Sequence, residues 1–297
     1  MKIELKKSLN DAGYILSNNV YKKAQNNDQY SSNFSKQWRD FSKTQVDEFN
    51  GTNISENLLR GVIFNEFENI ADKNVLEIGC GSGRFTEHLS KYANLLVLND
   101  MSEAIYYNHY ISKSNVLAIK SDFKNLKDLN IKFDVVICRG VLQHTPNPYN
   151  SIINLYDLCS PNGIIYFDVY KKPKLKFINP KYIWRYFLKF FITYEILHKF
   201  LIKNIDKFLL IRRKLNKLFK INLNYIWDYF FPIYDYKNKL PLNDNQLKEW
   251  AILDTLDGLI TKFDTPLSYK EINNFLNKKN IKIEKYDDKF SSYKIIK

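Results

Sequence analysis

The run Val75-Leu76-Glu77-Ile78-Gly79-Cys80-Gly81-Ser82-Gly83-Arg84-Phe85 constrains the fold more than any other stretch of the chain. It reads as a buried strand with a carboxylate near its tip, followed by a glycine turn that opens a helix. A strand, a glycine turn and a helix with an acid at the turn is how α/β folds hold a nucleoside-type ligand. Spacing narrows the choice. The dinucleotide fingerprint G-x-G-x-x-G needs a third glycine where Arg84 stands. A glycine turn without a ligand does not explain why a carboxylate ends an apolar strand.

Further apolar runs follow in order. Leu95-Leu96-Val97-Leu98 ends at Asn99-Asp100, and Asp100 lies 21 positions after Gly79, close to the usual ~20-residue offset of a ribose-binding acid. Asp also suits a helix cap before Met101-Ser102-Glu103-Ala104. Val116–Ile119 runs into Ser121-Asp122-Phe123, and Phe133–Cys138 into Arg139-Gly140-Val141-Leu142-Gln143-His144-Thr145-Pro146-Asn147-Pro148. Pro161-Asn162-Gly163 signals a turn, with a fifth strand over Gly163–Val169. These runs are nearly continuously apolar, the pattern of a parallel sheet covered on both faces, with helical stretches between them as βαβ crossovers require.

The E-x-G-x-G-x-G run and the D-x-V…L-x-H-x-P-x-P stretch resemble the class I S-adenosylmethionine (SAM) methyltransferases. Gln37-Trp38-Arg39-Asp40-Phe41-Ser42-Lys43-Thr44-Gln45-Val46-Asp47, Glu249–Asp257 and Phe263-Asp264-Thr265-Pro266 resemble a bacterial subgroup found among saccharide and secondary-metabolite genes. The resemblance covers roughly residues 35–285, and residues 171–240 match only loosely. It implies an α/β Rossmann-like sheet of seven strands, order 3-2-1-4-5-7-6, the last antiparallel. It implies SAM as cofactor, bound by Glu77, Gly79, Cys80, Gly81, Gly83, Asp100, Met101, Asp122, Phe123 and Arg139. Asp100 would hold the ribose hydroxyls. Asp122 would meet the adenine amino group, with an apolar neighbour over the ring.

The 297 residues divide into an expected N-terminal helical cap (1–68), a SAM-binding core (69–170), a basic helical insertion (171–240) and a C-terminal completion of the sheet (241–297). Two short strands are expected near 282–286 and 292–296. Ser268-Tyr269-Lys270-Glu271 has a capping-box pattern. In the N-terminal part, aromatics stand at Tyr30, Phe34, Trp38, Phe41 and Phe49, as in a cap closing over the cofactor or a helix that packs.

Charge is segregated. Residues 171–220 carry 15 Lys and Arg against Glu195 and Asp206, so this segment holds the whole formal excess of +13. Lys181, Arg185 and Lys189 recur at helical spacing, as do Lys199, Lys203 and Lys207, among Trp184, Phe187, Phe191 and Phe200. Three uses fit: a lid with solvated lysines, an interfacial helix on anionic lipid, or a basic site for a phosphorylated substrate or nucleic acid. No RNA-binding module accompanies the patch, which disfavours nucleic acid.

No secretory signal and no run near the ~18 residues of a spanning helix is expected. The setting expected is cytoplasmic, with peripheral contact at the inner membrane face. Cys80, Cys138 and Cys159 have neither paired nor metal spacing, so reduced thiols and no metal site are expected.

For chemistry, positioning supplies most of methyl transfer, and a hydroxyl acceptor also needs a base. His144, just beyond the fourth strand, is the expected catalytic residue, as base or as a group orienting the acceptor. It would otherwise only shape the cofactor pocket beside Gln143. Tyr170 and Asp254 are weaker candidates for acceptor contact. The function expected is O-methylation of a small molecule or a glycan or lipid-linked precursor. The alternatives are an N-methyltransferase, a non-catalytic SAM-binding module docking on membrane or partner through its basic helices, and an NAD-dependent oxidoreductase, which Arg84 disfavours.

Overall fold

The computed structural model describes residues 1–23, 31–219, 224–230, 232–286 and 291–297. Tyr30, named among the N-terminal aromatics, and residue 220, the last of the basic segment, lie outside them, as does the side chain of Lys189. In chain order the elements are α1 (Lys2–Asp11), β1 (Ile15–Ser17), β2 (Val20–Lys22), α2 (Ser32–Asp40), α3 (Asp47–Asn50), α4 (Ile54–Val62), β3 (Asn74–Ile78), α5 (Thr86–Tyr92), β4 (Leu95–Asp100), β5 (Val116–Lys120), β6 (Phe133–Cys138), α6 (Pro148–Leu158), β7 (Cys159–Asp168), α7 (Pro180–Phe191), α8 (Tyr194–Phe219), α9 (Asn224–Phe230), α10 (Asp244–Ile260), α11 (Tyr269–Asn277), β8 (Glu284–Lys285) and β9 (Ser292–Ile296).

The strands form one sheet, ordered β1-β2-β5-β4-β3-β6-β7-β9-β8. From β5 to β8 this is the order the resemblance implied, with β9 antiparallel to β7. The expected strand count needs correction: the described residues contain nine strands, not seven. The additional two form a hairpin in the N-terminal part, turned by Asn18 and Asn19 at φ 51° and 61°, and β2 adds to β5 in parallel. Two residues at positive φ suit a type I′ turn, where Asn is favoured. Residues 161–163 do not separate a helix from a strand. They sit within β7, where the register with β6 shifts and Asn162 has φ 61°.

Continuous apolar strands serve two faces because successive side chains point opposite ways. Leu76, Val97, Ile119, Val136 and Phe167 pack with α1, α6 and α11. Val75, Leu96, Ala118, Val135 and Tyr166 pack with α4 and α5. A third core joins the insertion to α10. Leu197, Leu201, Ile205 and Leu209, at i, i+4, i+8 and i+12 on α8, pack with Ile252, Leu256 and Leu259, each contributing about 1.5–3 kcal/mol by burial. Capping boxes start both α10 (Asn243, Gln246) and α11 (Ser268, Glu271).

In register, Ile78 lies beside Asn99 on one side and Cys138 on the other, and Cys138 beside Phe167. The parallel strands therefore end together, and the segments leaving β3, β4, β5, β6 and β7 gather at one edge of the sheet. That edge is where ligands bind in open α/β sheets.

Candidate active site

The glycine turn is shaped by close approach. Gly79 has φ +71°, and a Cβ there would lie 2.1 Å from Cγ2 of Val141, in the segment after β6. Gly81 has φ +50°, and a Cβ there would reach the indole of Trp38 at 3.3 Å. Trp38 belongs to α2, which crosses the open edge. Four backbone amides of the turn are already used. Gly79 and Cys80 both donate to the Asn99 carbonyl (2.7 and 3.2 Å), and Gly83 donates to the Cys80 carbonyl (3.0 Å). Gly81 N–H donates to Asp100 Oδ2 (2.9 Å), while Asp100 Oδ1 accepts from Ser102 N–H (2.8 Å) and Oγ (2.7 Å).

A cavity of about 190 Å³ opens over this turn. Of the residues expected to bind cofactor, Gly79, Cys80, Gly81, Asp100, Met101, Phe123 and Arg139 line it, and so does His144. Glu77, Gly83 and Asp122 are not among its lining residues. Glu77 is buried beneath the turn and accepts a hydrogen bond from Thr86 Oγ1 (2.7 Å). Burial, with Asp100 adding to it, pushes its carboxyl up to about 8. Gly83 faces Asn108 and Tyr110. Asp122 accepts from Lys124 N–H (3.1 Å) and pairs with the Lys124 ammonium at 3.0 Å.

A second cavity of about 580 Å³ adjoins the first, and Gln45, Arg84, Arg139, Tyr170, Asp254 and Asp257 line both. These six residues form a polar partition. Arg84 Nη1 donates to Gln45 Oε1 (2.6 Å) and Nε to Ser55 Oγ (3.0 Å). Gln45 Nε2 donates to Asp254 Oδ1 (3.3 Å), and the Tyr236 hydroxyl donates to Asp254 Oδ2. Burial, with the neighbouring Arg139, pushes the Arg84 guanidinium down to about 10. Burial, opposed by Tyr236 and Arg84, lifts Asp254 to about 6.

His144 stands where the partition meets the first cavity. Its Nδ1 lies 3.0 Å from the Phe263 carbonyl. A carbonyl only accepts, so Nδ1 carries the proton. Nε2 is buried without a hydrogen-bond partner and lies 3.7 Å from Asp257 Oδ1. Asp257 Oδ2 accepts from the Tyr170 hydroxyl (2.9 Å). Phe34 and Tyr170 hold the imidazole edge-on, with ring centroids 5.2 and 5.4 Å away.

Gln45 and Asp257 were missed as site residues. Both had a signal: Gln45 lies in the Thr44-Gln45-Val46-Asp47 stretch, and Asp257 follows Asp254 by three positions, on the same helical side. Tyr236 had none, because it comes from an irregular segment.

The residues present fit SAM and fit a dinucleotide poorly. A pyrophosphate is held by free backbone amides of the glycine turn, and those of Gly79, Cys80, Gly81 and Gly83 are spent inside the protein. Asp100 at the strand tip, the apolar Met101 and Phe123, and the guanidiniums of Arg84 and Arg139 suit a ribose, a base and an amino-acid carboxylate. The model of the methyltransferase domain family matches residues 48–209, more than half of the chain. The chain belongs to this family. This methyltransferase is 32% identical over 100 residues to a ubiquinone biosynthesis O-methyltransferase of Coxiella burnetii, across 32% of this chain and 43% of that protein. It is 30% identical over 108 residues to a tRNA U34 carboxymethyltransferase of Campylobacter fetus, across 34% of this chain and 38% of that one. The matched region thus spans less than half the length of these relatives. Among solved structures, a magnesium protoporphyrin IX methyltransferase from Synechocystis with bound S-adenosylhomocysteine aligns over 88% of this chain and 91% of its own, at 14% identity and a TM-score of 0.44. SAM is the cofactor of this class of methyltransferase.

Proposed function

We propose that this methyltransferase places SAM in the smaller cavity and methylates a hydroxyl oxygen of a small polar acceptor seated in the larger one. The observation that carries the reading is the shared partition, with the unpartnered Nε2 of His144 beside it. Asp100 would accept from the ribose hydroxyls, Met101 and Phe123 would cover the base, and Arg84 and Arg139 would face the carboxylate. Bound there, SAM supplies an electrophilic methyl group on a sulfonium.

The chain's part is then to position the acceptor and take its proton. His144 can do so at Nε2, because the Phe263 carbonyl fixes the proton on Nδ1. Asp257 stabilises the resulting imidazolium, and Tyr170 orients Asp257. Tyr182, Tyr234, Tyr236 and Trp250 line the larger cavity together with cations and acids. Aromatic faces mixed with strong donors and acceptors support a saccharide, free or lipid-linked, over a wholly apolar acceptor. A second reading, an amine acceptor, is favoured by Asp254 and Asp257 lying together in the partition.

Calorimetric titration with S-adenosylhomocysteine, with NADH as the control, tests the cofactor assignment. Labelled methyl transfer from SAM to nucleotide sugars and lipid-linked glycans then tests the acceptor. Binding of NADH in place of S-adenosylhomocysteine ends the reading. Label recovered on nitrogen favours the amine.

A further inference from the structure

The insertion does two things with its apolar residues. One stripe of α8 is buried on α10. The remainder faces outward: among the described residues, fourteen of the twenty-three exposed large hydrophobic side chains fall between positions 175 and 230. Scattered surface hydrophobics are ordinary, whereas a concentration on one subdomain marks an interaction surface.

The outward residues lie on definable faces. On α8, Phe200, Lys207, Ile211, Lys214 and Leu218 follow one another at i, i+7, i+11, i+14 and i+18, away from the buried Leu201, Ile205 and Leu209. On α7, Phe187 and Phe191 are one turn apart, 56% and 80% exposed. On α9, Trp227 Nε1 donates to Asn216 (3.2 Å) and Asp228 pairs with Arg212 (3.0 Å), which binds that side to α8. Ile226 and Phe230, one turn apart, are left 51% and 68% exposed. Interleaved with them on α8 are Lys199, Lys203, Lys207, Lys214 and Lys217, all exposed. Other cations of the insertion are neutralised: Lys181 by Asp264, Arg212 by Asp228, Arg213 by Asp235. These five lysines have no acidic partner among the described residues.

We propose that the outer faces of α7, α8 and α9 dock this methyltransferase on an anionic lipid bilayer. Aromatic and aliphatic side chains alternating with lysines suit the headgroup boundary. The rings and branched chains enter the acyl region, and the lysine stems reach back to the phosphates. No helix among the described residues is long and apolar enough to cross a membrane, so the contact is peripheral. Charge selects this occupant over a second copy of the chain. A symmetric dimer through this face would set the same unpaired lysines against each other, whereas an anionic surface neutralises them. The inference does not depend on the identity of the acceptor.

The test is co-sedimentation of the full chain with phosphatidylcholine vesicles, with and without phosphatidylglycerol, at low and high salt. Binding is expected only with phosphatidylglycerol and should weaken with salt. The triple variant Lys199→Gln/Lys203→Gln/Lys207→Gln should lower vesicle partitioning about a hundredfold. The pair Phe187→Ser/Leu218→Ser should lower it while leaving the salt dependence in place. Both variants should bind S-adenosylhomocysteine as the parent does, which separates loss of docking from loss of fold. Equal binding to neutral vesicles, no binding to anionic ones, or a triple variant that partitions like the parent would overturn the proposal. So would a dimer in light scattering that Phe187→Ser/Leu218→Ser dissolves.

Discussion

Asp257 is held by Tyr170 through one carboxylate oxygen and faces His144 Nε2 with the other, at 2.9 and 3.7 Å. The pair gives a proton taken up at Nε2 a counter-charge fixed in place. Asp257→Asn should therefore lower methyl transfer about tenfold to a hundredfold and leave S-adenosylhomocysteine affinity within about twofold. Calorimetry beside a methyl-transfer assay separates the two. A matching loss of affinity would show that Asp257 serves the cofactor cavity instead.

His144→Ala should depress turnover more than Asp257→Asn does, because it removes the acceptor of the proton and not only its partner. Affinity for S-adenosylhomocysteine should change little. Turnover equal to the parent would end the assignment of His144 as base.

Asp100→Ala removes the group expected to meet the ribose and also unties the Gly81 and Ser102 amides. More than a tenfold loss of S-adenosylhomocysteine affinity is expected, since each buried hydrogen bond to a charged group contributes about 1.5–3 kcal/mol. An unchanged calorimetric affinity would remove the ribose role.

Glu77 gives the fold a pH dependence. Its carboxyl lies at about 8 in the folded chain against an ordinary value of 4.5. Between those values the folded chain holds a proton that the unfolded chain has lost. Stability of the ligand-free protein should therefore fall as pH rises from about 5 to about 8, and level off above. Glu77→Gln keeps an oxygen for Thr86 to donate to and has no proton to lose. Urea unfolding at pH 6 and pH 8 should show the slope in the parent and lose that contribution in the variant.

The two glycines of the turn should respond unequally to alanine. Gly81→Ala meets Trp38 at 3.3 Å, a contact that a small indole shift relieves, so a loss of about 1–2 kcal/mol from backbone strain is expected. Gly79→Ala drives a methyl to 2.1 Å from Val141 and should cost more, because overpacking adds about 1–3 kcal/mol. Thermal unfolding ranks them, and equal losses would mean the Val141 segment moves freely.

The sequence was most informative where one periodicity dominated. Val75–Ile78, Leu95–Leu98 and Phe133–Cys138 are apolar on both faces, so their strands and parallel pairing were legible. The hairpin Ile15–Ser17 and Val20–Lys22 was not. Each arm has three residues, too short for an alternation to register, and only Asn18-Asn19 marked the turn. At the site, the glycine turn and Asp100 announced themselves by spacing. Glu77 shows the limit of that approach: a motif position fixes where a carboxylate sits along the strand, not which side of the turn it faces. The partition was hidden for another reason. Gln45, Arg84, Tyr170 and Asp254 come from four separate segments, and only folding brings them together.

The way the glycine turn spends its amides has a consequence in a cell full of adenosine compounds. ATP shares the base and ribose of the expected cofactor and is far more abundant. Its phosphates would have to displace the Asn99 carbonyl or Asp100 from the amides of Gly79, Cys80 and Gly81, above the buried carboxyl of Glu77. Weak competition by ATP at this turn is therefore the expectation, because the amides of Gly79, Cys80, Gly81 and Gly83 donate within the protein.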